Sequence, residues 1–152
     1  MKLGYINVKG NTYDAYPLVE AASTQVANVE IARFTAPDIL KIPASAKRLF
    51  SEQNCDAIVV FVTASEDDVQ AVALVEEKSM DVEIYFGKFI FFAVTTGDKP
   101  EEEAARLVPA IVAEAIGGPA PEIPADTGIP GMPETQPPQE EALTEDDVHK
   151  LF

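Results

Sequence analysis

Four runs rich in β-branched and aromatic residues punctuate the chain, at 2–8, 29–34, 57–62 and 89–95. The third and fourth are almost unbroken in apolar character: Ala57-Ile58-Val59-Val60-Phe61-Val62 and Phe89-Ile90-Phe91-Phe92-Ala93-Val94. A strand with one wet face alternates apolar and polar positions, whereas a strand covered on both faces by helices does not. Between the runs the apolar period lengthens to that of a helix. Leu18, Val19, Ala22 and Val26 follow a start near Asp14. A second helix opens at Pro43, whose fixed φ suits a first turn, and continues through Ala46, Leu49 and Phe50. A third opens at Ser65, an N-cap followed by Glu66, Asp67 and Asp68, acids that complement the helix dipole, and then by Val69, Val72 and Ala73. The last opens at Asp98, carries Ala105, Leu107, Val108 and Ile111, and stops at Gly117-Gly118. Pro109 inside it predicts a kink or a break.

Strands alternating strictly with helices imply right-handed crossovers and a parallel sheet. The expected fold for residues 1–118 is therefore α/β, a three-layer α/β/α sandwich on a four-stranded parallel sheet, flavodoxin-like in outline. Ligands of such folds bind at the carboxyl ends of the strands. The loops after Val8, Phe34, Val62 and Thr95 are therefore the candidates for chemistry.

The pattern stops after Gly118. Residues 119–141 are dense in proline, glycine and acid and sparse in large apolar side chains, so a flexible linker is expected there. Residues 142–152 differ again. Thr144-Glu145-Asp146-Asp147 fits a capping box, and Leu143 with Val148 fits the hydrophobic staple around it. Val148, Leu151 and Phe152 then share one face of a short helix. Two turns are unstable alone in water, so Leu143, Val148, Leu151 and Phe152 are expected to dock on a neighbouring subunit or a protein partner. A frayed acidic terminus is the plainer alternative.

Charge narrows the partners. The 152-residue chain carries a formal net charge of −15, which disfavours nucleic acid. No run approaches the roughly 18 apolar residues of a membrane span. The chain enters its first strand without a signal-like segment, so a soluble cytoplasmic protein is expected. The single cysteine, Cys55, adjoins an apolar run and reads as a buried structural thiol. The single histidine, His149, lies in the tail. Ser-His-Asp and Cys-His mechanisms are thereby excluded from the folded region, and no metal site is assigned. A carboxylate-only magnesium site at Glu66, Asp67 and Asp68 stays open, although a solvated first helical turn is the simpler reading.

Three loops carry candidate contacts. In Lys9-Gly10-Asn11-Thr12-Tyr13-Asp14, small, hydroxyl and amide residues before a helix are able to cradle an anion through backbone N–H groups. Asn11, Thr12 and Tyr13 are the ligand candidates there; an ordinary turn is the alternative. Apolar residues between prolines in the second loop, 35–43, suggest a covered surface formed by Asp38, Ile39 and Leu40, either a subunit contact or a pocket wall. The third loop offers Thr63 and Ser65.

The ordered set resembles the lumazine synthase superfamily, which includes the archaeal-type riboflavin synthases. The resemblance spans roughly residues 2–116 and is strongest over Ala36-Pro37-Asp38-Ile39-Leu40-Lys41-Ile42-Pro43-Ala44-Ser45-Ala46-Lys47-Arg48-Leu49. Asn54-Cys55-Asp56-Ala57-Ile58-Val59-Val60 resembles the family's next strand, and Phe91-Phe92-Ala93-Val94-Thr95-Thr96-Gly97-Asp98 a later one. The resemblance implies a cytoplasmic homo-oligomer, a pentamer or a multiple of it, with a pocket between subunits for a ribityl-pyrimidine or ribityl-lumazine and no cofactor. It implies Glu76 as the catalytic candidate, beside Val75 where the family carries a histidine. Asp38 stands at the family's glycine, and Lys41 at its acid. Three functional readings follow: a riboflavin-pathway transferase, a non-catalytic assembly protein on the same fold, and a flavin or nucleotide binder using Gly10-Asn11-Thr12.

Overall fold

In a computed structural model, residues 1–26 and 28–117 are described. The expected linker and C-terminal helix, with Leu143, Val148, Leu151 and Phe152, lie outside the described residues. Strand β1 (Lys2–Val8) leads to helix α1 (Tyr16–Ser23), and β2 (Glu30–Ala36) to a 3₁₀ turn (Ile39–Lys41) and α2 (Ile42–Glu52). Strand β3 (Ala57–Thr63) is followed by a 3₁₀ turn (Glu66–Asp68) and α3 (Val69–Phe86), and β4 (Phe89–Thr95) by α4 (Pro100–Ala115).

The four strands form one parallel sheet in the order β2-β1-β3-β4. Successive side chains of a strand point to opposite faces, and this splits the core in two. Leu3, Tyr5, Val59, Phe61 and Ala93 face α1 and α4, where Val19, Ala104, Val108 and Val112 meet them. Ile6, Val8, Ile58, Val60, Val62 and Ile90 face α2 and α3, where Ala46, Leu49, Phe50 and Val75 meet them. The result is the expected α/β sandwich of three layers. Central β3 is buried from Ala57 to Val62, as its unbroken apolar run requires. Strand β4 has an equally apolar run but lies at the sheet edge, and its Phe89 is 67% exposed.

Helix α2 lies directly on β1 because residue 4 is glycine. A Cβ there would stand 2.9 Å from Ile58 Cγ1, 3.1 Å from Leu49 Cδ1 and 3.2 Å from Cys55 Sγ. Cys55 is a free, buried thiol, and burial raises its pKa. Helix α3 ends where Gly87 turns left-handed at φ 65°, a conformation open to glycine without strain.

Two departures from the sequence pattern have local reasons. Helix α1 starts at Tyr16 rather than near Asp14, because the Asp14 side chain is engaged. Its Oδ1 accepts the Tyr5 hydroxyl at 2.9 Å and the Tyr16 N–H at 3.0 Å, while Oδ2 pairs with Arg33 at 2.9 Å. Arg33 in turn lies 3.7 Å from the centre of the Tyr16 ring, so one carboxylate ties β1, β2 and α1 together. Helix α4 runs unbroken through Pro109. The carbonyl that loses its donor belongs to Ala105, and both residues lie on the exposed side, where the carbonyl is open to solvent. Among the described residues no helix is long and apolar enough to cross a membrane.

Candidate ligand cleft

The chain leaves β1 toward β2 on one side and later returns to β3 on the other. At such a switch the loops diverge and leave a crevice beyond the carboxyl ends of the strands. A cleft of about 380 Å³ lies there, lined by Val8, Gly10 and Asn11 after β1, by the 37–40 segment after β2, and by Thr63, Asp68 and Ala71 after β3. That volume is in the range of small-molecule sites.

Asn11 holds the cleft's floor together. Its Nδ2 donates to Asn7 Oδ1 at 2.7 Å and to the Phe61 carbonyl at 2.8 Å. Its Oδ1 accepts the Thr63 N–H at 2.9 Å and the Thr63 hydroxyl at 3.4 Å. An amide offers two donors and one doubly accepting oxygen, so Asn11 is fully engaged by the protein and fastens the β1 loop to the end of β3. Thr63 Oγ1 also accepts the Thr12 N–H, at 3.0 Å. Thr12 thus supports the cleft through its backbone.

Asp38, Ile39 and Leu40 form the wall opposite Thr63. Leu40 is 56% exposed and Ile39 packs toward the α2–α3 core, so the wall is apolar with a carboxylate beside it. Ser65 sits beyond the lining. Its N–H and hydroxyl both donate to Asp68 Oδ2 at 2.9 Å, and Asp68 is the acid of that turn which reaches the cleft. Ser65, expected as a cap, and Asp68 three residues on form a reciprocal capping box.

Two candidates lie elsewhere. Tyr13 packs edge-on against Phe61, ring centres 6.1 Å apart, within the α1–α4 core on the other face of the sheet. Glu76 is exposed on α3 and does not line the cleft, and its neighbour Val75 is buried against the α2 layer. The lining residues that the sequence reading did not single out as contacts are Val8, Pro37 and Ala71. Among the described residues, no group of three His, Cys, Asp or Glu side chains converges to hold a metal ion.

A second surface adjoins the fold's open edge. Met80, Ile84 and Phe89 border a shallow, largely apolar groove of about 350 Å³, with Glu83 and Lys88 at its sides. Ile84 is 78% exposed, and Val69, Leu74 and Tyr85 add further apolar surface to α3.

Fold and cleft together define a doubly covered parallel α/β protein with a small-molecule-sized crevice at its topological switch. No protein-family model matches the sequence, and no curated protein matches it either.

Proposed function

We propose that this chain is a lumazine synthase/riboflavin synthase-like protein that works as a homo-oligomer and binds a ribityl-lumazine-like molecule in a pocket completed by a neighbouring subunit. The observation that carries the reading is the cleft. It gathers the loops after β1, β2 and β3 around one crevice, and the stretch in which the sequence resemblance is strongest, 36–49, supplies one of its walls. Its open side bears Leu40, a large apolar residue exposed in the single chain, as expected of a wall that a second copy covers. The apolar outer face of α3 supports the oligomer independently. The test is titration of the full-length protein with ribityl-lumazine, followed by ligand fluorescence, beside Leu40→Asp. Saturable binding lost in the variant, together with a fall in native mass, is expected. Saturable binding and an unchanged mass in Leu40→Asp would remove the shared-wall assignment.

One observation favours a non-catalytic variant of the same reading. The ionisable side chains lining the cleft are Asp38 and Asp68, while Glu76 faces solvent and Val75 offers no proton. The protein would then bind and assemble without turnover, with its C-terminal segment as a tether. A single-turnover assay with ribityl-lumazine, read by the appearance of riboflavin absorbance, separates the two.

A further inference from the structure

We infer that the cleft is built to refuse phosphorylated ligands and to hold an uncharged, hydroxyl-rich one, with Asp38 and Asp68 as the discriminating residues. The inference rests on the proposed reading of the cleft as a ribityl-lumazine-like site and specifies which members of that chemical class it takes.

Three features point the same way. The first is the lining. Its ionisable members are both carboxylates, Asp38 and Asp68, and no lysine, arginine or histidine is among the residues that border the space. A phosphate brought into that space meets two like charges in an environment that screens them less than bulk water does.

The second is the backbone. A strand-to-helix loop binds phosphate by turning successive N–H groups toward it. Here three of those donors, on Lys9, Asn11 and Thr12, already have protein partners. Lys9 N–H donates to the Ala36 carbonyl at 2.9 Å and Asn11 N–H to the Val8 carbonyl at 2.9 Å. Thr12 N–H donates to Thr63 Oγ1 at 3.0 Å. The Asn11 side-chain amide is likewise saturated by Asn7, Phe61 and Thr63.

The third is the turn that leads into α3. The Ser65 N–H and hydroxyl, two donors at the start of that turn, both donate to Asp68 Oδ2. Asp68 thus occupies the anion position of that turn with the protein's own carboxylate.

The same residues suit a neutral polyol. Carboxylates accept hydrogen bonds from hydroxyl groups and form strong ones, and with Ser65 holding Oδ2, Asp68 Oδ1 has no protein donor among the described residues. Val8, Ile39, Leu40 and Ala71 supply apolar contact for a ring.

A matched pair of probes isolates the phosphate. Riboflavin and its 5′-phosphate share the ring system and the ribityl chain and differ by one phosphoryl group. Quenching of flavin fluorescence by the full-length protein is measured for both at low ionic strength. Riboflavin is expected to bind at least about tenfold more tightly than its phosphate, and the gap should narrow as salt is added. Asp38→Asn removes a charge at a side chain with no protein hydrogen bond among the described residues, and Asp68→Asn retains an oxygen for Ser65, so both variants should fold. Each is expected to narrow the gap severalfold by improving binding of the phosphate. Equal or tighter binding of the phosphate by the unmodified protein, or a gap that neither variant changes, would overturn the inference and leave the ribityl reading standing. Failure of both probes to bind would contradict the ribityl reading itself and the selectivity with it.

Discussion

Helices α3 and α4 cover opposite faces of the same sheet, and they are finished to different degrees. Over its 16 residues α4 buries Ala104, Val108, Val112 and Ala115 in one stripe and opens with three glutamates. Over its 18 residues α3 buries only Val75 and Ser79, and it leaves Val69, Leu74, Met80, Ile84 and Tyr85 exposed. A helix that packs on a sheet needs one apolar stripe. Helix α4 has that and no more, while α3 is apolar around much of its circumference. The difference separates the apolar surface that folds the chain from the apolar surface left exposed, and it puts that exposed surface beside Phe89 at the open edge of β4.

The sharpest way to break that comparison is one substitution made on both helices. Val108→Asp buries an unpaired carboxylate where exposure is 0%. The expected loss exceeds about 4 kcal/mol, enough to abolish the native circular dichroism spectrum. Ile84→Asp adds the same charge on the outer face of α3. It should leave the isolated fold within about 0.5 kcal/mol of the parent while lowering the native mass. A folded Val108→Asp protein would show that α4 is not the finished helix described here.

A smaller effect probes the loop that floors the cleft. Asn11→Ala strands the Phe61 carbonyl and the Thr63 N–H, at a cost of about 1–3 kcal/mol in chemical denaturation. It should also weaken ligand binding, because the β1 loop is no longer fastened to β3. Asn11→Ala with unchanged stability would mean that the amide bonds are not what holds the loop.

Smaller again is a pH effect on the α1–α4 side. Burial, the hydrogen bond to Asp14 and the Asp14 charge together push the Tyr5 phenol far above its ordinary value of 10.0. Below that value both folded and unfolded chains keep the proton, and the contribution of this group is fully present. As pH rises past it, the unfolded phenol ionises first, the native state holds the extra proton, and stability falls. Tyr5→Phe should therefore flatten the loss of stability between about pH 10 and 11, although it also removes a buried hydrogen bond and lowers stability at neutral pH. An identical alkaline slope in the variant would assign the loss to other groups.

The same contrast explains how far the sequence could be read. β1 and β4 match their apolar runs in both boundaries, because a strand's inward residues are set by its own alternation or continuity. Position in the sheet was less legible. The 89–95 run reads as fully covered, yet β4 is an edge strand, since apolar surface reserved for a partner is written in the same residues as apolar surface reserved for the core. Of the kink or break expected at Pro109, the break does not occur, because the carbonyl left without a donor lies on the exposed side of the helix. At the cleft, Asp38, Ile39, Leu40 and Thr63 were legible from the rule that parallel strands open their sites at their carboxyl ends. Tyr13 and Glu76 were not. Their loop and helix are placed correctly, but the direction of a side chain depends on a phase that one neighbour sets. Phe61 draws Tyr13 to the far face, and buried Val75 turns Glu76 outward.

The central claim is that one chain carries a cleft and an apolar face that only assembly completes. Native mass spectrometry of the full-length protein, with and without ribityl-lumazine, tests it most directly. The account predicts a defined oligomer, pentameric or a multiple of five, that retains the ligand and loses subunits in Ile84→Asp. A monomer under every condition would contradict it.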